Sequence, residues 1–280
     1  MLASPLLAAL LALSAAAAWG GGDFAGGLAA RRIGALRAVL VSYTVGLLVL
    51  AVVALARGET LPSPADVLWG ALAGLAGVVG VGFLLRGFSE GRMGIVAPVS
   101  ALLATSIPVI VAALTEGMPG ALQLLGFGVA LAGLWLLSRP QPLSGRPGGL
   151  GLALLAGVGF GSFFVALDQV GPTAVFWPLV AGRLAGVGVM LPLILARHRP
   201  ILPQGAPVRL LVLGGVLDAA GNLFFLLATQ TGRLDVAAVL ASLYPAVTAI
   251  LAWLIVREHL VRLQLVGAAA AVVAIVLITV

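Results

Sequence analysis

The sequence predicts an all-α membrane protein: ten transmembrane helices arranged as two inverted five-helix repeats around a central cavity. Three observations carry this expectation. The 280-residue chain is 62% hydrophobic and only 9% charged, where a soluble domain carries about 25% charged residues. With a mean hydropathy of +1.22, most of its surface must meet lipid rather than water. The chain also divides into ten apolar runs, each close to the roughly 20 residues that cross a bilayer as a helix. Finally, its two halves match each other at a nearly constant offset.

Breaks at Arg, Pro, Gly and acidic residues place the runs at 4–29, 38–57, 67–87, 93–115, 120–138, 149–168, 173–196, 208–230, 234–256 and 261–280. The first contains small-residue patterns such as "LSAAAAWG" that resemble a cleavage site. No Lys or Arg precedes it and it continues for about 27 residues, so it is expected to be a retained span rather than a signal peptide. None of the runs alternates in polarity as the strands of a membrane β-barrel do. The longest connectors, 57–66, 138–149 and 197–209, leave no room for a soluble domain. The middle one, "SRPQPLSGRPGG", is rich in Pro, Gly and Ser and lies halfway along the chain. It reads as a linker, giving a first unit at 1–138, a linker at 139–148 and a second unit at 149–280.

An offset of 141 positions brings Trp19-Gly20 onto Phe160-Gly161, Gly74 onto Gly215, Gly80 onto Gly221 and Gly91-Arg92 onto Gly232-Arg233. It also brings "LQLLG" (122–126) onto "LQLVG" (263–267). Five spans per half force the second half to enter the membrane from the opposite side. Two related inverted bundles of this kind can rock about a central site.

The 15 basic residues are all Arg, and all but Arg183 fall singly or in pairs at or between the edges of the apolar runs. That is the pattern of membrane anchors, so the partner is the lipid bilayer and no nucleic acid is expected. Twelve arginines flank one face (31, 32, 37, 86, 92, 139, 146, 197, 199, 209, 257 and 262) and two, Arg57 and Arg233, flank the other. The positive-inside rule then puts both termini outside the cytoplasm. There is no cysteine, and His198 and His259 both lie between runs. Disulfides and thiolate chemistry are excluded, and neither a metal nor a cofactor is expected.

Polar groups in a bilayer are costly and mark function by default. Arg183 lies about ten residues into its run. It is expected either to hold a ligand's carboxylate or phosphate through its bidentate fork, or to form a structural ion pair with an acid on a neighbouring helix. Asp218 and Asn222, at i and i+4 of the eighth run, share one face. Asp218 is the candidate for binding a ligand's amine or a proton. Asp23 lies some 27 Å along the first helix, which points to an acid near the membrane edge, close to Arg31 and Arg32, and to a gating role. Trp19 and its counterpart Phe160 suggest an aromatic wall facing the centre, with Tyr244 a further lining residue. Pro108 and Pro245 lie within related spans and are candidate hinges, since proline removes a helix hydrogen bond. The glycine-rich stretches at 70–82 and 182–186 signal close helix packing. Those at 77–82 and 157–161 sit inside spans and lack the strand-turn-helix setting of a phosphate loop.

The "WG" late in the first span, the Gly-Arg turn before the fourth and ninth spans, and "SLYPAVTAILAWLIVREHLVRLQLVGAAAAVVAIVLI" at 242–278 resemble the EamA type of the drug/metabolite transporter superfamily. Pro245, Glu258, Gln264 and Gly267 stand at the motif positions of the last stretch. In the first half, "EGMPG" (116–120) replaces the usual Glu-containing turn, and Pro108 stands 15 residues before Gln123 against 19 between Pro245 and Gln264. The resemblance implies a monomeric secondary transporter of a bacterial inner membrane that exports small polar metabolites. Amino-acid exporters of this type are the nearest in layout. Carriers of nucleotide sugars, lipid-linked sugars or cationic compounds are the alternatives within the superfamily. An intramembrane enzyme would need clustered Ser/His, paired Asp or a His/Glu metal set within the spans, and the sequence offers none, so no enzyme is expected.

Overall fold

The computed structural model describes residues 5–90, 93–138, 149–196, 200–257 and 261–279. The expected linker at 139–148 and the Gly91-Arg92 turn lie outside the described residues. Eleven α-helices follow in order: α1 Pro5–Ile33, α2 Ala35–Ala56, α3 Pro64–Glu90, α4 Met93–Thr115, α5 Ala121–Ser138, α6 Leu150–Asp168, α7 Phe176–Leu195, α8 Val208–Thr231, α9 Leu234–Ala241, α10 Tyr244–Leu251 and α11 Arg262–Thr279. A π-helical turn, Ala252–Val256, continues α10. Counting Leu234–Val256 as one segment, nine stretches among the described residues are long and apolar enough to span a bilayer, and Ala121–Leu137 is a shorter tenth.

Short-range chemistry sets the ends. Gly34 at φ 87° turns the chain between α1 and α2, and Gly58 at φ 60° turns it after α2. Both values favour a residue without Cβ. At the start of α3, the Asp66 backbone N–H donates to Ser63 Oγ (3.1 Å) and the Ser63 hydroxyl donates to Asp66 Oδ2 (2.7 Å). The repeated "LQLxG" motif has one job in both halves. Gln123 Oε1 accepts from the Gly120 N–H, and Gln264 Oε1 accepts from the Val261 N–H, each at 3.1 Å. Each glutamine thus reaches back to a free donor at its own helix start.

The motif's glycine packs the helix against its counterpart. A Cβ on Gly126 would stand 2.7 Å from Ile278 Cγ1, and one on Gly267 would stand 3.0 Å from Leu137 Cγ. Leu137 and Ile278 are again 141 apart, so the two contacts mirror each other. The same exchange recurs elsewhere. Trp19 covers Gly221 while Phe160 covers Gly80, and Gly20 meets Val247 while Gly161 meets Ile107. These pairings also fix direction. Along α5 and α11, rising numbers on one helix meet falling numbers on the other. The same holds for α2 and α7, where Tyr43 meets Gly186 and Gly46 meets Arg183. Equivalent helices of the two units run antiparallel, so the second unit is inverted, as an odd number of spans requires.

The ninth span departs from a continuous helix. Pro245 stands at the start of α10, and its missing N–H and its ring end α9 at Ala241. Every residue of α9 is buried, whereas none of α10 is. Pro108, by contrast, sits inside an unbroken α4, as does Pro98. Packing equates Ile107 with Val247, an offset of 140, so Pro108 corresponds in space to Thr248 and not to Pro245. Helix α1 also runs unbroken through its glycine triplet. The glycines serve close approach there: a Cβ on Gly22 would lie 3.3 Å from the Asp218 backbone nitrogen and from the Gly214 carbonyl oxygen.

Candidate functional site

Arg183 is carried by α7 at the centre of the bundle and is only 2% exposed. Its Nη1 donates to Asp218 Oδ2 on α8 in a short ion pair. The Tyr43 ring of α2 lies beneath it, with its centroid 4.6 Å from Cζ, a cation–π distance. Gly46, one turn further along α2, makes room for the guanidinium at its Nε edge: a Cβ there would stand 3.3 Å from Nε and 3.5 Å from Cζ. Nε and Nη2 are buried and have no hydrogen-bond partner among the described residues. A buried guanidinium with one of its forks open presents unpaired donors that suit an acceptor such as a carboxylate. Beside it lies a space of about 10 Å³ lined by Tyr43, Gly74, Phe163, Gly182, Arg183 and Asn222, among others. That volume holds about one water, so this conformation is closed around the arginine.

Helices α1 and α8 form an antiparallel ladder next to the pair. The Trp19 indole N–H donates to Asn222 Oδ1 at 2.9 Å. One helical turn along each helix brings Asp23 opposite Asp218, since 19 and 222 sum to the same value as 23 and 218. Asp23 is close enough for its charge to act on Asp218 and on Tyr244. The Asp23 residue retains accessible surface, yet it stands level with the middle of α8 (Val208–Thr231) rather than with its end. The expectation of an edge acid beside Arg31 and Arg32 is therefore replaced: Asp23 shares the depth of Asp218. The reason lies in the close approach at Gly22, which brings α8 alongside this turn of α1.

Trp19 also organises an aromatic cluster. Its ring lies 5.7 Å from Phe225, 5.8 Å from Phe164, 6.2 Å from Phe163 and 6.4 Å from Tyr244. Phe160 packs over Gly80, on the mirror-related α3–α6 contact. The structure thus brings together Arg183, Asp218, Asn222, Trp19, Asp23 and Tyr244, and sets Phe160 apart. Pro245 starts α10 immediately after Tyr244, and Pro108 lies on α4 beside Ile107, which packs on α6.

The arginine-poor face is tied across the two units. Glu59, in the α2–α3 loop, accepts from the backbone N–H groups of Val175, Phe176 and Trp177 at 2.7–3.1 Å. A carboxylate there meets the positive end of the α7 dipole. Asp66 accepts from the Gly171 N–H at 2.7 Å. Arg233 donates to the Glu116 and Gly117 carbonyl oxygens at 3.3 and 2.8 Å, and pairs with the fully buried Asp235 at 2.7 Å. Glu116 Oε1 in turn accepts from the Leu234 N–H at 3.2 Å. Burial raises the Glu116 pKa, and the Leu234 N–H and Arg233 offset this only in part. The hydrogen bond to Asp235 is the main reason that the Arg233 pKa is raised. Sequence reasoning missed Glu59, Gly46 and Asp235. Asp235 had a signal, an acid in the first turn of a helix two residues after an arginine. Glu59 had none, because its partners lie more than a hundred residues away.

A many-spanning helical membrane protein, built from two inverted units with an arginine–aspartate pair between α7 and α8, has an architecture found among membrane transporters. The profile of the EamA-like transporter family matches residues 6–139 and 147–280. The chain belongs to that family, a membrane transporter group of the drug/metabolite superfamily. Among solved structures, 28 chains match. One of them, described only as the crystal structure of a protein, superimposes with a TM-score of 0.82 over 98% of each chain at 19% identity, which shows a shared fold. No curated protein matches.

Proposed function

We propose that this chain is a secondary transporter of a bacterial inner membrane that exports small polar metabolites carrying a carboxylate, amino acids first among them. A central cavity opens alternately to the two faces, and the arginine-rich face is cytoplasmic. The observation that supports this reading is the open Nε–Nη2 fork of Arg183, buried beside Asp218. A ligand carboxylate fits the fork through two parallel hydrogen bonds, and the acid next to it suits the ligand's ammonium. Tyr43 holds the guanidinium plane in place for that contact.

The test is uptake of a panel of radiolabelled amino acids into proteoliposomes, with and without a pH gradient, for the wild type and Arg183→Gln. Charge-assisted hydrogen bonds contribute about 1.5–3 kcal/mol each. The variant is expected to lose carboxylate ligands by at least tenfold while keeping its elution profile in detergent. Undiminished uptake by Arg183→Gln would make the arginine purely structural and sink the reading.

A further inference from the structure

The charges of the central site do not balance. Arg183 brings one positive charge, and Asp23 and Asp218, when both are ionised, bring two negative ones, on facing turns of α1 and α8. Asp218 is held by Arg183. Asp23 has neither a hydrogen bond nor an ion pair among the described residues. Tyr43 and Tyr244 stand beside them as neutral phenols and compensate nothing. A carboxylate left unpaired inside a membrane protein is expensive, so its presence calls for a positive charge that arrives with the ligand.

A zwitterionic ligand brings one positive and one negative charge and leaves the site at minus one. A ligand with one carboxylate and two ammonium-type groups brings it to neutrality. We propose that Asp23 selects for such a second positive charge, so that the site takes basic amino acids, with the ligand carboxylate on Arg183 and the two cationic groups on Asp218 and Asp23. This rests on the carboxylate reading of Arg183 given above. Two further observations favour it. The Arg183 fork is 98% buried and unpartnered, so a ligand is called for at this spot independently of the acids. Trp19 and Tyr244 flank Asp23, one on the preceding turn of α1 and one on α10, and aromatic rings lined up beside a carboxylate suit an organic cation.

The experiment is ligand competition on the purified full-length protein, in detergent and in proteoliposomes. L-lysine and L-ornithine are compared with L-norleucine, which lacks only the terminal ammonium of lysine, and with cadaverine, which lacks the carboxylate. Lysine is expected to bind at least tenfold more tightly than norleucine and than cadaverine. Asp23→Asn is expected to erase the preference over norleucine, and Asp23→Glu to keep it, with both variants unfolding at the wild-type temperature. Equal binding of lysine and norleucine overturns the proposal, as does a lysine preference that survives in Asp23→Asn. Norleucine binding that matches lysine only when a proton is taken up also overturns it, and assigns the missing charge to that proton. Cadaverine as tight as lysine, together with an unaffected Arg183→Gln, fails the carboxylate reading itself and the proposal with it.

Discussion

Breaking the Arg183–Asp218 pair from its two ends should cost different amounts. The Arg183 side chain is 2% exposed and that of Asp218 is 32% exposed. Asp218→Asn therefore leaves a full positive charge sealed in the bundle, with Nε and Nη2 already lacking partners. Orphaning a buried charge costs about 3–5 kcal/mol. Arg183→Met leaves the less enclosed of the two charges, and the loss is about 1–3 kcal/mol, the scale of an unmade charged hydrogen bond. Asp218→Asn combined with Arg183→Met removes both charges, so the double variant should be more stable than Asp218→Asn alone. Thermal and denaturant unfolding of the three variants in one detergent reads these differences as a double-mutant cycle. An Arg183→Met loss larger than that of Asp218→Asn would refute the assignment of the arginine as the buried end. A double variant that costs the sum of the two single losses would refute the pairing itself.

Two further outcomes concern the arginine-poor face. Arg233→Gln removes the donors to the Glu116 and Gly117 carbonyls and strands the buried Asp235. A cysteine introduced at Met118 should then react faster with a water-soluble maleimide applied from that face, and an unchanged rate would show that the face is held by other contacts. Burial raises the Glu116 pKa above its ordinary value of 4.5. For an acid raised on folding, stability is highest below the unfolded pKa and is lost as pH rises through the folded one. Glu116→Gln, which keeps an acceptor for the Leu234 N–H, should flatten the fall in unfolding temperature over that interval. A fall as steep as the wild type's would place its origin elsewhere.

The number, length and order of the spans were legible because lipid demands long apolar helices, and ten such runs leave little choice. The "LQLxG" repeat was legible too, since one chemical task recurs in both halves. Arg183 and Asp218 were singled out by cost alone, as charges far from any membrane edge. The depth of Asp23 was not legible. Counting along α1 places it near an edge, but depth is shared between helices, and only the α1–α8 contact at Gly22 shows that it stands level with Asp218. Pro108 and Pro245 looked alike for a similar reason: proline removes the same hydrogen bond in both, yet α4 absorbs the loss and the ninth span breaks. Gly46 carried no signal among 38 glycines, because its role is to make room for a side chain of another helix.

The mirrored packing has a consequence for insertion. Much of the glycine-mediated packing of one unit recurs, turned over, in the other, so a molecule inserted upside down would present related surfaces to the bilayer. The fold is therefore indifferent to which compartment it faces. What distinguishes the compartments is the placement of arginines along the sequence, twelve against two, at or near the edges of the apolar runs. Moving a handful of them across should invert the molecule, and with it the direction of its traffic, without disturbing a single glycine contact within.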